Sequence, residues 1–237
     1  MCIRDSYNTA KNGVMKVAKL TREILRRGVK HLAKKHNDIK VFISKYGLPH
    51  LRLRAANFES LVQIICSQQV STVVASTIFK RIQKLEKQLS PEFISGLSLE
   101  TLRDTGLSYS KVGYIKGIAG EIISGKFNLR ELSYLTDEEV ILEMSKQKGI
   151  GRWTSQMYLI FALGRPDIWP INDLGVVKGI IGLKKLEEFE TGSKEISNLG
   201  DIYRPWRSIA ARVFWQYQNI SKVVSKVEPQ LSNSVRD

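Results

Sequence analysis

The chain has 237 residues, 43% of them hydrophobic, which fits a globular protein and excludes a disordered chain. Lys and Arg number 37 against 23 Asp and Glu, and the net charge of +14 favours a polyanionic partner such as DNA or RNA. A basic surface that binds nothing is the alternative. No apolar run reaches the ~18–20 residues of a membrane helix, so we expect a soluble protein without a membrane partner.

Cysteine and histidine are too few for a metal centre or a disulfide framework. The two cysteines are Cys2 and Cys66, and the three histidines are scattered between residues 31 and 50. A four-cysteine zinc site and an iron–sulfur cluster are therefore excluded. Cys66 lies in an apolar run, so we expect it in a core. The low cysteine content favours a reducing, intracellular compartment.

The N-terminal segment combines a short leader with a helical pattern. We interpret residues 1–6 (MCIRDS) as a non-native leader, because they join no periodic pattern. From Val14 to Leu32, apolar residues recur at helical spacing among lysines and arginines, which predicts a first helix, with a transit peptide as the alternative. We assign residues 7–57 to N-terminal helices that pack with the C-terminal part of the chain.

Helical patterns also dominate residues 58–164. A long helical run begins at Phe58, and the polar segment Ser67–Ser71 divides it into two helices, with Ser71 as the N-cap of the second. Further helices begin after hydroxyl residues that can cap them, which are Ser90, Ser98, Ser108 and Thr136. Gly149 and Gly151 then separate two helices at the end of this segment.

The remaining pattern is helical as well. One helix begins at Asn172-Asp173 after Pro170, and the last strong pattern covers residues 207–220. We assign residues 165–220 to a C-terminal lobe and residues 221–237 to a polar, loosely ordered tail. Alternating strand patterns are scarce, so the predicted fold class is all-α.

The two glycines around Ile150 predict a backbone site for a phosphate. Glycines two positions apart permit a sharp turn and leave successive N–H groups without a neighbouring Cβ. Beside a helix N-terminus, such N–H groups can bind an anion. A phosphate contact of this kind positions a protein on a duplex without reading its sequence. An ordinary turn between two helices is the alternative for this motif alone.

Four motifs in chain order resemble the helix-hairpin-helix and Gly-Pro-Asp (HhH-GPD) superfamily of DNA glycosylases, in particular its 3-methyladenine DNA glycosylase II branch. The Gly-Pro part is relaxed here to Pro170-Ile171-Asn172 before Asp173. The motifs, between about residues 48 and 217, are Phe58–Leu61 with Ser67–Ser71, Gly106–Ser108 with Lys111, Gly149–Thr154 with Asp173, and Arg204–Ser208 with Trp215.

The resemblance implies a two-lobed helical fold with an active-site cleft between the lobes. Residues 58–164 would form the central lobe, which ends in the hairpin. The residues before Phe58 leave no room for the large β-domain of some relatives, so the compact form is expected.

The resemblance also implies hydrolysis without a covalent intermediate. Bifunctional relatives place a lysine two positions after the second glycine of the hairpin, where its amine attacks the sugar. Trp153 stands at that position here, so water is the expected nucleophile. The implied activity is a monofunctional DNA glycosylase that flips and excises alkylated purines such as 3-methyladenine in base excision repair.

Residue roles follow from the same resemblance. Asp173 would be the catalytic carboxylate that stabilises positive charge on the sugar, and its structural alternative is an N-cap, a role that Asn172 could also take. Electron-rich rings would stack on the cationic base. The implied base-pocket residues are Trp153, Trp215, Met157 and Tyr158.

The implied contacts with DNA come from the hairpin and from the polar loop before Ser71. Either Gln69 or Gln68 would fill the gap that the flipped base leaves in the duplex. The full set of implied DNA-binding residues is Gly149, Ile150, Gly151, Arg152, Thr154, Gln68, Gln69 and Ser71.

The expected partner is double-stranded DNA that contains damaged bases, bound by a monomer. No cofactor is required, although a monovalent cation in the hairpin, as in some relatives, is a candidate. The expected location is cytoplasmic, at the nucleoid in a bacterium, or nuclear in a eukaryote. Three alternatives stay open: a bifunctional glycosylase with lyase activity, a glycosylase for another lesion, and a non-catalytic helix-hairpin-helix DNA-binding module.

Overall fold

The computed structural model describes residues 7–9, 15–17, 19–186 and 190–233, with side chains for 19–186 and 190–225. A single-turn 3-10 helix covers Glu131–Tyr134, and a π-helical turn covers Leu159–Leu163. The other elements are β1 (Tyr7–Thr9), β2 (Met15–Val17), α1 (Arg22–Lys35), α2 (Asn37–Tyr46), α3 (Phe58–Cys66), α4 (Thr72–Leu85), α5 (Pro91–Gly96), α6 (Leu99–Asp104), α7 (Tyr109–Ile123), α8 (Asp137–Ser145), α9 (Arg152–Tyr158), α10 (Leu174–Lys184), α11 (Lys194–Asp201) and α12 (Arg207–Asn233).

The predicted all-α fold class is confirmed, with corrections near both ends of the described chain. Strands β1 and β2 pair antiparallel, so the helix predicted from Val14 begins only at Arg22, after the Thr21 cap. Helix α12 continues to Asn233, so residues 221–233 of the predicted loosely ordered tail are helical, and residues 234–237 lie outside the described residues. Residues 1–6, interpreted as a leader, lie outside the described residues.

The chain divides into two compact units. Unit 1 consists of residues 1–19 and 53–165, and unit 2 consists of residues 20–52 and 166–237. Unit 1 therefore contains helices α3 to α9, and unit 2 contains α1, α2 and α10 to α12.

Local capping chemistry fixes where the helices of unit 1 begin. The hydroxyl of Ser71 accepts a hydrogen bond from the Val74 backbone N–H, which starts α4 after the polar loop. At Thr136, the predicted capping box is complete, because the Glu139 carboxylate accepts from the Thr136 backbone while the Thr136 hydroxyl accepts from the Glu139 N–H. The predicted caps at Ser90, Ser98 and Ser108 are confirmed in the same way.

Unit 2 is held together by close helix packing around glycines. A Cβ on Gly179 of α10 would lie 2.2 Å from the Phe214 carbonyl oxygen of α12, so only glycine permits this approach. On α1, a Cβ at Gly28 would meet the side chains of Ile209 and Trp206. This packing places the start of α12 in the core, where Trp206 and Trp169 are both buried.

Within the described residues, no helix combines the length and the apolar character that crossing a membrane requires.

Candidate functional site

Asp173 is the N-cap of α10 and at the same time a hydrogen-bond partner of a tryptophan. Its Oδ1 atom accepts from the Val176 backbone N–H at 2.9 Å and from the Trp215 indole Nε1–H at 2.7 Å. The carboxylate is partly buried, at the positive end of the α10 dipole. Asp173 itself caps the helix, so the suggestion that Asn172 caps in its place is wrong.

Gly175 makes room for this pair. A Cβ at position 175 would lie 2.9 Å from Trp215 Cδ1 and 3.1 Å from Asp173 Oδ1. Any larger residue would push the indole away from the carboxylate or strain the first turn of α10. Sequence reasoning missed Gly175, because the contact joins two helices that are far apart in the chain.

The four tryptophans occupy different environments. Trp206 and Trp169 are buried in the core of unit 2, and the Trp169 indole N–H donates to the Ile196 carbonyl at 2.8 Å. Trp215 and Trp153 are only partly buried, so each keeps accessible ring surface. The two tryptophans predicted for the base pocket are therefore the two that the fold leaves accessible.

The hairpin Gly149–Gly151 turns sharply between α8 and α9. Gly149 has φ +84°, and a Cβ there would lie 2.2 Å from ring carbons of Tyr114 on α7. Gly151 is the N-cap of α9, has no atoms of other residues near its missing Cβ, and is exposed. The exposed backbone beside the start of α9 is therefore accessible to an anion at Gly151.

Other predicted hairpin contacts differ from the sequence expectation. The Ile150 backbone N–H donates to the Gln147 carbonyl at 3.0 Å, and the Ile150 side chain is buried. Because that N–H is already used, Ile150 is unsuited to bind a phosphate in this conformation. Arg152 is exposed and forms an ion pair with Glu138 at 3.2 Å, a surface pair of small energetic value.

Three predicted residues of α9 lie inside unit 1. Thr154 is buried, and its hydroxyl accepts a hydrogen bond from the Gln68 side chain at 3.0 Å, so a direct contact between Thr154 and DNA is unsupported. Met157 and Tyr158 are also buried, and burial raises the pKa of the Tyr158 hydroxyl. Their burial favours a packing role, and a contact with the base stays a prediction.

The polar loop between α3 and α4 distinguishes its two glutamines. Gln68 is partly buried and its amide donates to the Gly149 carbonyl at 2.9 Å. Gln69 is exposed and has a positive φ of 55°, which is uncommon outside glycine and asparagine. Ser71 is exposed and caps α4. The loop thus turns Gln68 inward and leaves Gln69 accessible.

Among the residues that the structure describes, no group of three or more His, Cys, Asp or Glu side chains could hold a metal ion.

Comparisons with known proteins agree with the fold and with the hairpin. Residues 62–205 match the family described as HhH-GPD superfamily base excision DNA repair protein. DNA-3-methyladenine glycosylase 1 of Schizosaccharomyces pombe is 32% identical over 177 residues, which cover 73% of this chain and 77% of that protein. The chain therefore belongs to the HhH-GPD superfamily of base excision DNA repair proteins.

Two further comparisons bear on the fold and the branch. The structure of the S. pombe 3-methyladenine DNA glycosylase Mag1 in complex with abasic DNA has a TM-score of 0.74 and 31% identity, and the match covers 80% of this chain and 95% of that one. The alkylbase DNA glycosidase-like protein mag2 of S. pombe is 29% identical, with 83% of this chain and 95% of that protein covered.

Proposed function

We propose that this protein is a monofunctional DNA glycosylase that hydrolyses the N-glycosidic bond of alkylated purines such as 3-methyladenine in base excision repair. The observation that carries the proposal is the Asp173 carboxylate, which is held by the indole N–H of a tryptophan that keeps accessible ring surface. The names of the S. pombe relatives support the same substrate class.

The chemistry requires a fixed negative charge near the sugar. As the bond from C1′ to the base nitrogen breaks, its electron pair leaves with the base and positive charge develops on the deoxyribose. The Asp173 carboxylate stabilises that charge and orients a water molecule, whose oxygen bonds to C1′ and whose proton is released. Because Asp173 Oδ1 is bound by two N–H donors, the carboxylate is held in one orientation before DNA arrives.

The Trp215 ring would recognise the leaving base. A purine methylated at a ring nitrogen carries positive charge, and the face of an indole attracts such a ring by about 0.5–2 kcal/mol. Trp215 can therefore hold Asp173 through its edge while its face stacks on the base. Trp153 is assigned a contact with the base on the family pattern. It also stands where bifunctional relatives have their nucleophilic lysine, so water is the nucleophile in this proposal.

DNA binding in this proposal divides between the hairpin and the polar loop. The exposed backbone at Gly151 would receive a phosphate, and Arg152 would supply positive charge beside it. Gln69, which is exposed and preset by its positive φ, would fill the gap left by the flipped base, because Gln68 is bound to Gly149. The overall charge of +14 provides general attraction to the duplex.

The proposed reaction needs no cofactor, since water, a carboxylate and a good leaving group suffice. A monovalent cation held by the hairpin carbonyls remains a proposal taken from the family pattern. We propose further that the protein acts in the compartment that holds the genome.

The deciding experiment incubates the protein with DNA methylated by a simple alkylating agent, in the presence of a chelator. We expect free 3-methyladenine or 7-methylguanine by chromatography, together with an uncut strand that contains abasic sites. A covalent adduct trapped by borohydride would instead indicate lyase chemistry. DNA binding without release of any base would reduce the protein to a binding module and overturn the proposal.

A further inference from the structure

Lys111 is a partly buried cation in the first turn of α7, where the positive end of the helix dipole disfavours a positive charge. Burial lowers the pKa of its ammonium group. No carboxylate in the described part of the chain forms an ion pair with it. A lysine placed at this cost needs a compensating contact.

The compensation comes from the end of α3. The Lys111 Nζ atom donates to the carbonyl of Cys66 at 3.0 Å and to the carbonyl of Gln68 at 2.8 Å. Cys66 is the last residue of α3, where carbonyl groups lack helical partners and the dipole is negative. Lys111 therefore ties the first residues of the polar loop to α7.

Hydrogen bonds of the Gln68 side chain connect the same loop to the hairpin. The Gln68 amide donates to the Gly149 carbonyl and to the Thr154 hydroxyl, across 81 and 86 residues of sequence. Gly149 in turn packs against the ring of Tyr114, three residues after Lys111 on α7. One face of α7 thus supports both the loop and the hairpin, and Gln68 joins them directly.

We infer that Lys111 and Gln68 are positioning residues that lock the loop bearing Gln69 to the Gly149–Gly151 hairpin, so that both meet damaged DNA as one preformed unit. The inference rests on the proposed function. A rigid unit can bind a phosphate and fill the gap in the duplex without the entropy cost of first ordering the loop. This lower cost increases affinity for DNA that already lacks a base in the stack, because the loop has a gap to fill there.

The test compares affinities of the full chain for two duplexes, one undamaged and one with a tetrahydrofuran abasic analogue. Fluorescence anisotropy gives the ratio of the two dissociation constants. We expect Lys111→Met and Gln68→Met each to reduce this ratio by about tenfold, since each removes two hydrogen bonds. In Lys111→Met, which changes no residue assigned to DNA contact, affinity for undamaged DNA should change by less than about threefold, because phosphate contacts dominate it.

The chain offers a matched control on the same helix. Lys116 also belongs to α7, is partly buried, and donates through Nζ to backbone carbonyls at the end of α5, including Ser95 at 2.9 Å. It touches neither the loop nor the hairpin in the bonds it makes. Lys116→Met should lower the melting temperature as Lys111→Met does, while the affinity ratio stays at the wild-type value.

A double-mutant cycle separates positioning from general destabilisation. If Lys111 acts by placing Gln69, Lys111→Met has no further effect on the ratio in a Gln69→Ala background. Gln68→Met, which changes only a loop side chain, keeps the test decisive if Lys111→Met fails to fold. An unchanged ratio in Gln68→Met, an equal loss in Lys116→Met, or a wild-type protein that binds both duplexes alike would overturn the inference. A wild-type protein that discriminates the duplexes but releases no methylated base would overturn only the proposed function.

Discussion

Helices α9 and α10 begin in opposite ways. The first is capped by Gly151, which offers no side chain and leaves the helix start exposed. The second is capped by Asp173, whose carboxylate is bound by its own helix and by an indole. Both helix starts carry the positive end of a dipole, and each belongs to a different unit of the molecule.

The positive end of a helix dipole can serve two different purposes, depending on what caps it. A helix start whose cap has no side chain can attract an anion from outside, such as a DNA phosphate. A helix start that carries its own carboxylate instead fixes a negative charge in place, ready for a cation that develops during a reaction. In the function proposed above, the α9 start would bind DNA and the α10 start would serve catalysis.

Replacement of the carboxylate at α10 should have the largest effect. In Asp173→Asn, the amide oxygen can still accept from Val176 and Trp215, and asparagine is as good an N-cap as aspartate, so stability is retained. Only the negative charge is lost. We expect the single-turnover excision rate from methylated DNA to fall by about 10²–10³-fold.

A matched control for this change is Asn172→Ala, one residue earlier and exposed. Its excision rate should stay within about threefold of the wild type, since surface changes of this kind have small effects. Full activity in Asp173→Asn, with an unchanged melting curve, would show that the carboxylate is only a cap.

The hairpin at α9 should respond to substitution through its two glycines in different ways. Gly149→Ala forces a side chain into the Tyr114 ring at φ +84°, so we expect a loss of roughly 2–4 kcal/mol in the free energy of unfolding. The Cβ of Gly151→Ala would meet no atom of a non-neighbouring residue within 4 Å, and φ is an ordinary −102°, so the stability of this variant should match the wild type.

The two glycine variants should also differ in their affinity for duplex DNA. A Cβ at position 151 would crowd a phosphate at the start of α9, so Gly151→Ala should weaken duplex binding by about tenfold without affecting the urea unfolding midpoint. Wild-type affinity in a stable Gly151→Ala variant would mean that the exposed helix start does not receive DNA. Wild-type stability in Gly149→Ala would contradict the tight packing on Tyr114.

The sequence predicted what local chemistry determines. Hydroxyl caps such as Ser71 and the capping box at Thr136 were predictable because their partners lie three residues away. The break between α3 and α4 followed from its polar residues, and the two glycines marked the hairpin. Asp173 was identified through the family motif, since its cap chemistry alone did not distinguish it from Asn172.

The missed features depend on contacts between distant residues. The bond from Gln68 to Gly149 spans 81 residues, and the periodicity of neither segment indicates it. Nothing in the sequence around Gly175 indicates why a glycine is needed there, because the reason is the close approach of Trp215 from α12. The strand at residues 15–17 was missed because its apolar residues continue the helical spacing of α1, and pairing with residues 7–9 decides the outcome.

The last prediction concerns the hydrogen bond from the Trp215 indole to the Asp173 carboxylate, and its expected effect on the reaction rate is small. Trp215→Phe keeps an aromatic face for the base but removes the N–H that donates to Asp173 at 2.7 Å. We expect the single-turnover rate to fall by about tenfold with little change in affinity for an abasic duplex, since one charge-assisted hydrogen bond is lost.

The control is Trp169→Phe, which removes an indole hydrogen bond to the Ile196 carbonyl in the core of the same unit. That variant should unfold at a lower temperature and excise at the wild-type rate, because the loss of a buried indole and its hydrogen bond destabilises the fold without affecting the carboxylate. Equal rate losses in the two variants would assign the effect of Trp215 to packing and not to its hydrogen bond with Asp173.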